Sequence, residues 1–201
     1  MNSSSGAGRR RAVGVAGHTG DTTTARRGLG DPDGTVRIAA VRALARLDEL
    51  TDDELARTLT DDDPAVRIAG LEIAASRPAP PIASLLHDPH PMVVESAAWA
   101  IGERADPAPA AMDALIDIAR NHHEPLAREA AVAALGAIGD DRGLPALLDA
   151  TTDKPAIRRR AVIALVAFEG PEVDEAWARA RTDKDRQVRD AVEELLGPED
   201  S

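Results

Sequence analysis

The stretch Pro125-Leu126-Ala127-Arg128-Glu129-Ala130-Ala131-Val132-Ala133-Ala134-Leu135 decides how the whole chain is read. Its apolar residues recur three and four apart, the spacing of one buried helix face. Its proline suits a first helical position, where the missing amide has no intrahelical partner. The same register returns five more times. With Ala127 as anchor, the other copies centre on Val36, Val66, Val93, Ile157 and Val188, at spacings of 30, 27, 34, 30 and 31 residues. Two residues before the anchors stand Gly34, Pro64, Pro91, Pro125, Pro155 and Arg186. The residue after is Arg37, Arg67, Arg128, Arg158 or Arg189, and Val94 in the third copy. A small residue follows at plus three in every copy but one, where Arg160 stands, and pairs such as Ala43-Leu44 and Ala134-Leu135 fill plus seven and plus eight. A period of this size marks a stacked array of supersecondary units.

Each unit is expected to join a first helix to the patterned second helix. First helices fall near 22–29, 52–59, 80–86, 107–120, 143–151 and 171–181, and second helices near 35–47, 65–76, 92–104, 125–138, 155–168 and 186–196. Asp62 or Asp63, Asp88, Asp153 and Asp183 are placed to cap the second helices. Gly102, Gly136, Gly139, Gly170 and Gly197 read as helix stops. The fold class is therefore an all-α solenoid, a superhelix of about six helical hairpins over residues 21–197, with 198–201 as a tail. Residues 1–20 are Gly/Ser-rich around Arg9-Arg10-Arg11 and read as a disordered arm, since they offer little apolar area against the entropy of ordering. The polar first helix of unit one and the charged end of the last helix read as caps.

Composition narrows function by exclusion. Three aromatics in 201 residues cannot fill a large globular core, whereas Ala/Leu/Val repeats pack only on their neighbours. The formal net charge of −11 weighs against a general nucleic-acid binder. The chain has no cysteine, which removes disulfides, thiolate metal sites and thiol catalysis; a cytoplasmic location is the default expectation. The longest apolar runs are far short of a membrane span, and none after Arg11 is long enough for a signal-peptide core.

The 125–140 string, Asp-Pro-Ala-Val-Arg at 63–67 and Lys-Pro-Ala-Ile-Arg at 154–158 resemble the HEAT-like repeats first described in phycobilisome lyases. The likeness covers about residues 22–197, and it implies a protein-binding scaffold more often than an enzyme. HEAT-like repeats also build deoxyhypusine hydroxylase, which holds two irons with His-Glu pairs on its second helices. Here Glu129 falls near such a place but follows Arg128, and the pair His123-Glu124 stands before Pro125, outside the helix.

Candidate sites follow from the register. The column Arg37, Arg67, Arg128, Arg158 and Arg189 beside recurring aspartates reads as a structural ladder between turns, with a rung lost at Val94. Plus two and plus six share one side of the second helices and form the expected concave binding face: Ile68, Glu72, Glu95, Trp99, Glu129, Arg159 and Ile163, with Trp99 as anchor for a protein or peptide partner. His87, His90, His122, His123 and Glu124 fall in two equivalent turns and are candidate metal ligands, the basis of an alternative reading as an accessory lyase- or hydroxylase-like, cofactor-handling protein. A third reading, nucleic-acid binding, draws on Lys154, Arg158, Arg159, Arg160, Arg179, Arg181, Lys184, Arg186 and Arg189 near Trp177, but acidic residues interleave there. No nucleophile has a base beside it, so the leading expectation is a non-enzymatic scaffold that needs no cofactor.

Overall fold

The computed structural model describes residues 5–104 and 109–197. Among them the fold is an all-α repeat array of the solenoid class, with no strand. The chain separates into two compact units, Met1–Ile82 and Ala83–Ser201. The first contains α1 (Gly6–Thr19), α2 (Thr22–Gly28), α3 (Gly34–Arg46), α4 (Asp52–Leu59) and α5 (Pro64–Ala74). Within it α3 packs between α1 and α5, with α2 and α4 behind. The second contains a 3-10 turn at Ala83–His87, then α6 (Pro91–Glu103), α7 (Pro109–Asn121), α8 (Pro125–Ile138), α9 (Leu144–Ala150), α10 (Pro155–Ala164), α11 (Pro171–Arg181) and α12 (Arg186–Leu196). There α6, α8, α10 and α12 stack in order, backed by the 3-10 turn, α7, α9 and α11. The anchors Val36, Val66, Val93, Ala127, Ile157 and Val188 are all buried.

Three expectations need correction. The segment read as a disordered arm is helical from Gly6: α1 packs on α2 and α3, and Val13, Ala16 and Gly17 are buried. Its hold on the array is polar as well. Arg9 donates from Nε and Nη2 to the two carboxylate oxygens of Asp31 at 2.6 and 2.9 Å. Residues 1–4 and the tail 198–201 lie outside the described residues. The expected helix at 80–86 is a five-residue 3-10 turn. Pro78, Pro80 and Pro81 remove amides just before it and Pro89 follows, leaving no room for an α-helix. Gly102 and Gly136 lie inside α6 and α8 and are not stops, whereas Gly139 and Gly197 do end helices, at φ of 68° and 76°. The two internal glycines let backbones approach: a Cβ on Gly102 would meet the Ala134 Cα at 3.0 Å, and one on Gly136 the Ala164 Cα at 2.7 Å. Gly17 meets Ala43 in the same way. For Gly102 and Gly136, glycine at plus nine faces alanine at plus seven of the next patterned helix.

The turns before the second helices divide their polar work. In Asp-x-Asp turns the first aspartate closes the turn and the second caps the helix. Asp61 Oδ1 accepts from the Asp63 amide and Asp63 Oδ1 from the Ala65 amide, both at 2.9 Å. Asp31 and Asp33 repeat this, as do Asp183 and Asp185. α6, α8 and α10 start without a side-chain capping bond.

The first aspartate of these turns, and Asp153 in the turn before α10, also receive the arginine of the preceding unit. Arg37 forks onto Asp61, Arg128 onto Asp153 and Arg158 onto Asp183, each from Nε and Nη2 at 2.7–3.0 Å. The third nitrogen, Nη1, donates to a carbonyl of the arginine's own turn: Asp31, His122 and Asp153 respectively, at 2.7–2.8 Å. Arg67 and Arg189 make the same carbonyl bond, to Asp61 and Asp183. Each complete rung thus uses the guanidinium to tie one turn to the next. The side-chain bonds from Arg9, Arg128 and Arg158 hold the carboxyls of Asp31, Asp153 and Asp183 below the ordinary aspartate range.

Two sets of predictions follow from this packing. Asp183→Ala leaves Arg158, with 9% of its side chain exposed, uncompensated, and is expected to cost about 3 kcal/mol in chemical denaturation. Asp190→Ala removes an exposed pair with Arg186 and is expected to cost less than about 0.5 kcal/mol. Because the rung carboxyls titrate lower folded than unfolded, their contribution is complete above about pH 4 and is withdrawn as the pH falls through the folded values. The thermal midpoint should therefore drop on acidification below about pH 4, and less steeply in the Asp183→Ala protein. Gly136→Ala is expected to destabilise by about 2 kcal/mol through the clash with Ala164. Gly14→Ala, with nothing within 4 Å of the new Cβ, should stabilise α1 by about 0.5–1 kcal/mol.

Candidate functional site

Burying the anchors turns the opposite side of the second helices outward. In the Ala83–Ser201 unit this side carries large apolar groups in solvent. Met92 is 55% exposed, Trp99 46%, Leu126 59% and Val166 53%. Met92 and Trp99 are seven residues apart on α6, Leu126 occupies on α8 the place of Met92 on α6, and Val166 lies in the 3-10 turn Leu165–Ala167 directly after α10. The sequence reading found Trp99 but not its companions. For Met92 and Leu126 the signal was the position before the anchor, where they are the large apolar residues of the column.

The charged groups of this face are partly matched internally. Glu129 on α8 meets Arg160 on α10 at 3.5 Å, which accounts for arginine at a position that is otherwise small. Glu95 is half-buried, Ile163 half-buried and Arg159 exposed. Between α8 and α10 the small residues Ala133, Gly136 and Ala137, with Ile163, Val166 and Arg160, line a shallow groove of about 370 Å³. In the Met1–Ile82 unit, Ile68 is half-buried and Glu72 is exposed and paired with Arg42 of α3 at 2.7 Å. Arg42 and Glu72, both at plus six, thus meet between neighbouring helices, whereas Glu129 at plus two meets Arg160 at plus three.

The histidine turns frame a second feature. His87, Asp88, Val94, Asp117, Asn121, His122 and His123 are among the residues lining a cavity of about 360 Å³. The rings of His122 and His123 stack with centroids 4.7 Å apart. His122 Nδ1 accepts from the Glu124 amide at 3.2 Å, and His123 Nε2 lies 3.7 Å from Glu124 Oε1. His90 stands apart from this cavity as the residue before α6, its Nδ1 buried with no hydrogen-bond partner among the described residues. Among the described residues no three His, Cys, Asp or Glu side chains gather closely enough to hold a metal ion.

The basic residues of the last third are spread over several roles. Arg158 belongs to the ladder, Arg160 pairs with Glu129, Arg186 with Asp190, and Arg179 approaches Glu175 at 4.0 Å. Arg181 donates to the carbonyl of Gly197. Trp177 donates from Nε1 to the Val162 carbonyl at 3.3 Å and packs on the cluster of Val162, Val188 and Val192. It is half-buried against this cluster. No helix among the described residues is long and apolar enough to cross a membrane.

Residues 53–135, 79–166 and 112–197 match the family model of HEAT repeats. The fold is similar to that of human deoxyhypusine hydroxylase in complex with glycerol, with a TM-score of 0.50 at 20% identity, covering 97% of this chain and 80% of that one. A designed armadillo repeat protein in complex with the peptide (KR)4 gives a TM-score of 0.46 at 16% identity, over 93% of this chain and 85% of that one. No curated protein matches the chain. Likeness at these identities speaks for the fold alone.

Proposed function

The chain belongs to the HEAT-repeat family, and from that premise we propose that it is a non-enzymatic scaffold binding another protein or peptide along the second-helix face of its Ala83–Ser201 unit. One observation carries the reading. Among the described residues, seven large hydrophobics are exposed, and four of them, Met92, Trp99, Leu126 and Val166, stand on α6, on α8 and just beyond α10. Single exposed apolar residues are ordinary, but a recurring set on adjacent helices marks an interaction surface. Trp99 supplies the large, rigid group typical of a binding hot spot, and Glu95, Glu129 and Arg159 supply a polar rim. Ile163 and the groove beside it extend the apolar surface. Ile68 and Glu72 play the same part in the other unit.

The alternative, an accessory lyase- or hydroxylase-like, cofactor-handling protein using the histidine turns, would draw on His87, His90, His122, His123 and Glu124, of which His123 and Glu124 form the one His-Glu pair. Both precede α8, and they do not project from it.

The test is quantitative affinity capture from a lysate of the native cell, comparing wild type with Trp99→Ala/Leu126→Ala and with Val15→Ala as control. Loss of two hot-spot groups should reduce recovery of the partner about thirtyfold or more, with stability unchanged within about 0.5 kcal/mol because both side chains are exposed. Equal recovery by the double variant would remove this face from consideration.

A further inference from the structure

The cavity at the histidine turns coincides with the one break in the ladder of this unit. In a complete rung two residues cooperate: an arginine just after the anchor and an aspartate in the next turn. Arg128 with Asp153 and Arg158 with Asp183 are 25 residues apart. At the break both halves change together. Val94 stands where the arginine belongs, and His122 stands where the carboxylate belongs. The turn itself is preserved, since His122 Nδ1 accepts from the amide two residues on, as Asp183 Oδ1 accepts from the Asp185 amide. What is missing is the guanidinium, and in its place is the cavity of about 360 Å³.

We infer that this cavity receives an arginine side chain from a partner protein, whose guanidinium fills the place of the missing internal one. Its walls suit such a guest. Leu86, Val94 and Ile118 supply apolar surface for the methylene stem. Asp117 brings a carboxylate to the lining, beside Asp88, whose Oδ1 accepts from the His90 amide at 2.8 Å. Asp117 keeps one oxygen on Asn121, whose Nδ2 donates to Oδ1 at 2.8 Å. The stacked rings of His122 and His123 offer a flat surface on which a planar guanidinium stacks, as a compact ammonium does not. The turn whose carbonyl would receive Nη1 in a complete rung is that of Asp88, which also lines the cavity. The site uses none of the groups on the α6–α8–α10 face and does not depend on that face binding anything.

Acetyl-arginine amide serves as the probe, with acetyl-lysine amide and the uncharged isostere acetyl-citrulline amide beside it, each titrated into the full chain and followed by amide resonances. The arginine probe should shift Asn121, His122 and Glu124 saturably, and the citrulline probe should bind about tenfold more weakly or less. Val94→Arg/His122→Asp rebuilds the rung from within; it should abolish the arginine shifts and raise the thermal midpoint by about 3 °C. Should that variant not fold, Asp117→Asn in the otherwise unchanged chain is expected to weaken arginine binding about fivefold. Equal binding of citrulline and arginine, arginine shifts that persist in the folded double variant, or unchanged affinity in Asp117→Asn would each overturn the assignment.

Discussion

The bidentate arginine–aspartate rung is the interaction on which this architecture turns. Helical hairpins with small residues at their contacts have little surface to interlock, and alanine facing alanine specifies register weakly. A guanidinium placed in a turn removes that freedom. One nitrogen holds the carbonyl of its own turn and two hold a carboxylate one unit away, as with Arg158 between Asp153 and Asp183. The geometry is satisfied at a single offset between neighbouring helices, so the rung fixes register as well as adding stability. Close approach then follows. With α8 and α10 held in register by the Arg128–Asp153 rung, Gly136 lies against the Ala164 backbone.

The period, the helical hairpins and the arginine column were all legible in the sequence, because each recurs at one place and a recurring residue advertises its role. What escaped did so for identifiable reasons. α1 was hidden because Gly6, Gly8, Gly14 and Gly17 dilute its apolar pattern, and its composition reads as an arm. Its true signal was positional: Arg9 precedes Arg37 by 28 residues, one period, and finds Asp31 as Arg37 finds Asp61. Gly102 and Gly136 were read as stops because both stops and close contacts favour glycine near a helix end, and only the facing alanine distinguishes them. The split of labour in Asp-x-Asp turns was invisible because both aspartates can cap. Met92 and Leu126 were passed over because their column is otherwise small or polar.

The candidate face and the cavity share a cause with these oversights. In a repeat array the residues that recur are those that hold the array, so the recurring positions carry no address. Information about a partner has to sit where one unit differs from its neighbours. The position before the anchor reads Thr35, Ala65, Met92, Leu126, Ala156 and Gln187, and plus six reads Arg42, Glu72, Trp99, Ala133, Ile163 and Glu194. Large apolar groups enter both columns at α6 and next to it. The ladder breaks at the same helix, where Val94 replaces arginine.

That coincidence has an energetic logic. A surface that must bind gains when its side chains are held in place before the partner arrives, since ordering them on contact subtracts from affinity. α8 is clamped through Arg128 and Asp153, and α10 through Arg158 and Asp183, on the turn side of the array, away from the exposed apolar groups. The rungs therefore stiffen the scaffold without occupying the face it presents. α6 gives up its own rung but keeps its position through the tight glycine contact with α8. It is a second helix whose arginine is replaced by Val94 while another side carries Trp99, so under the proposed function a partner at α6 would meet two surfaces on a helix whose register is already set.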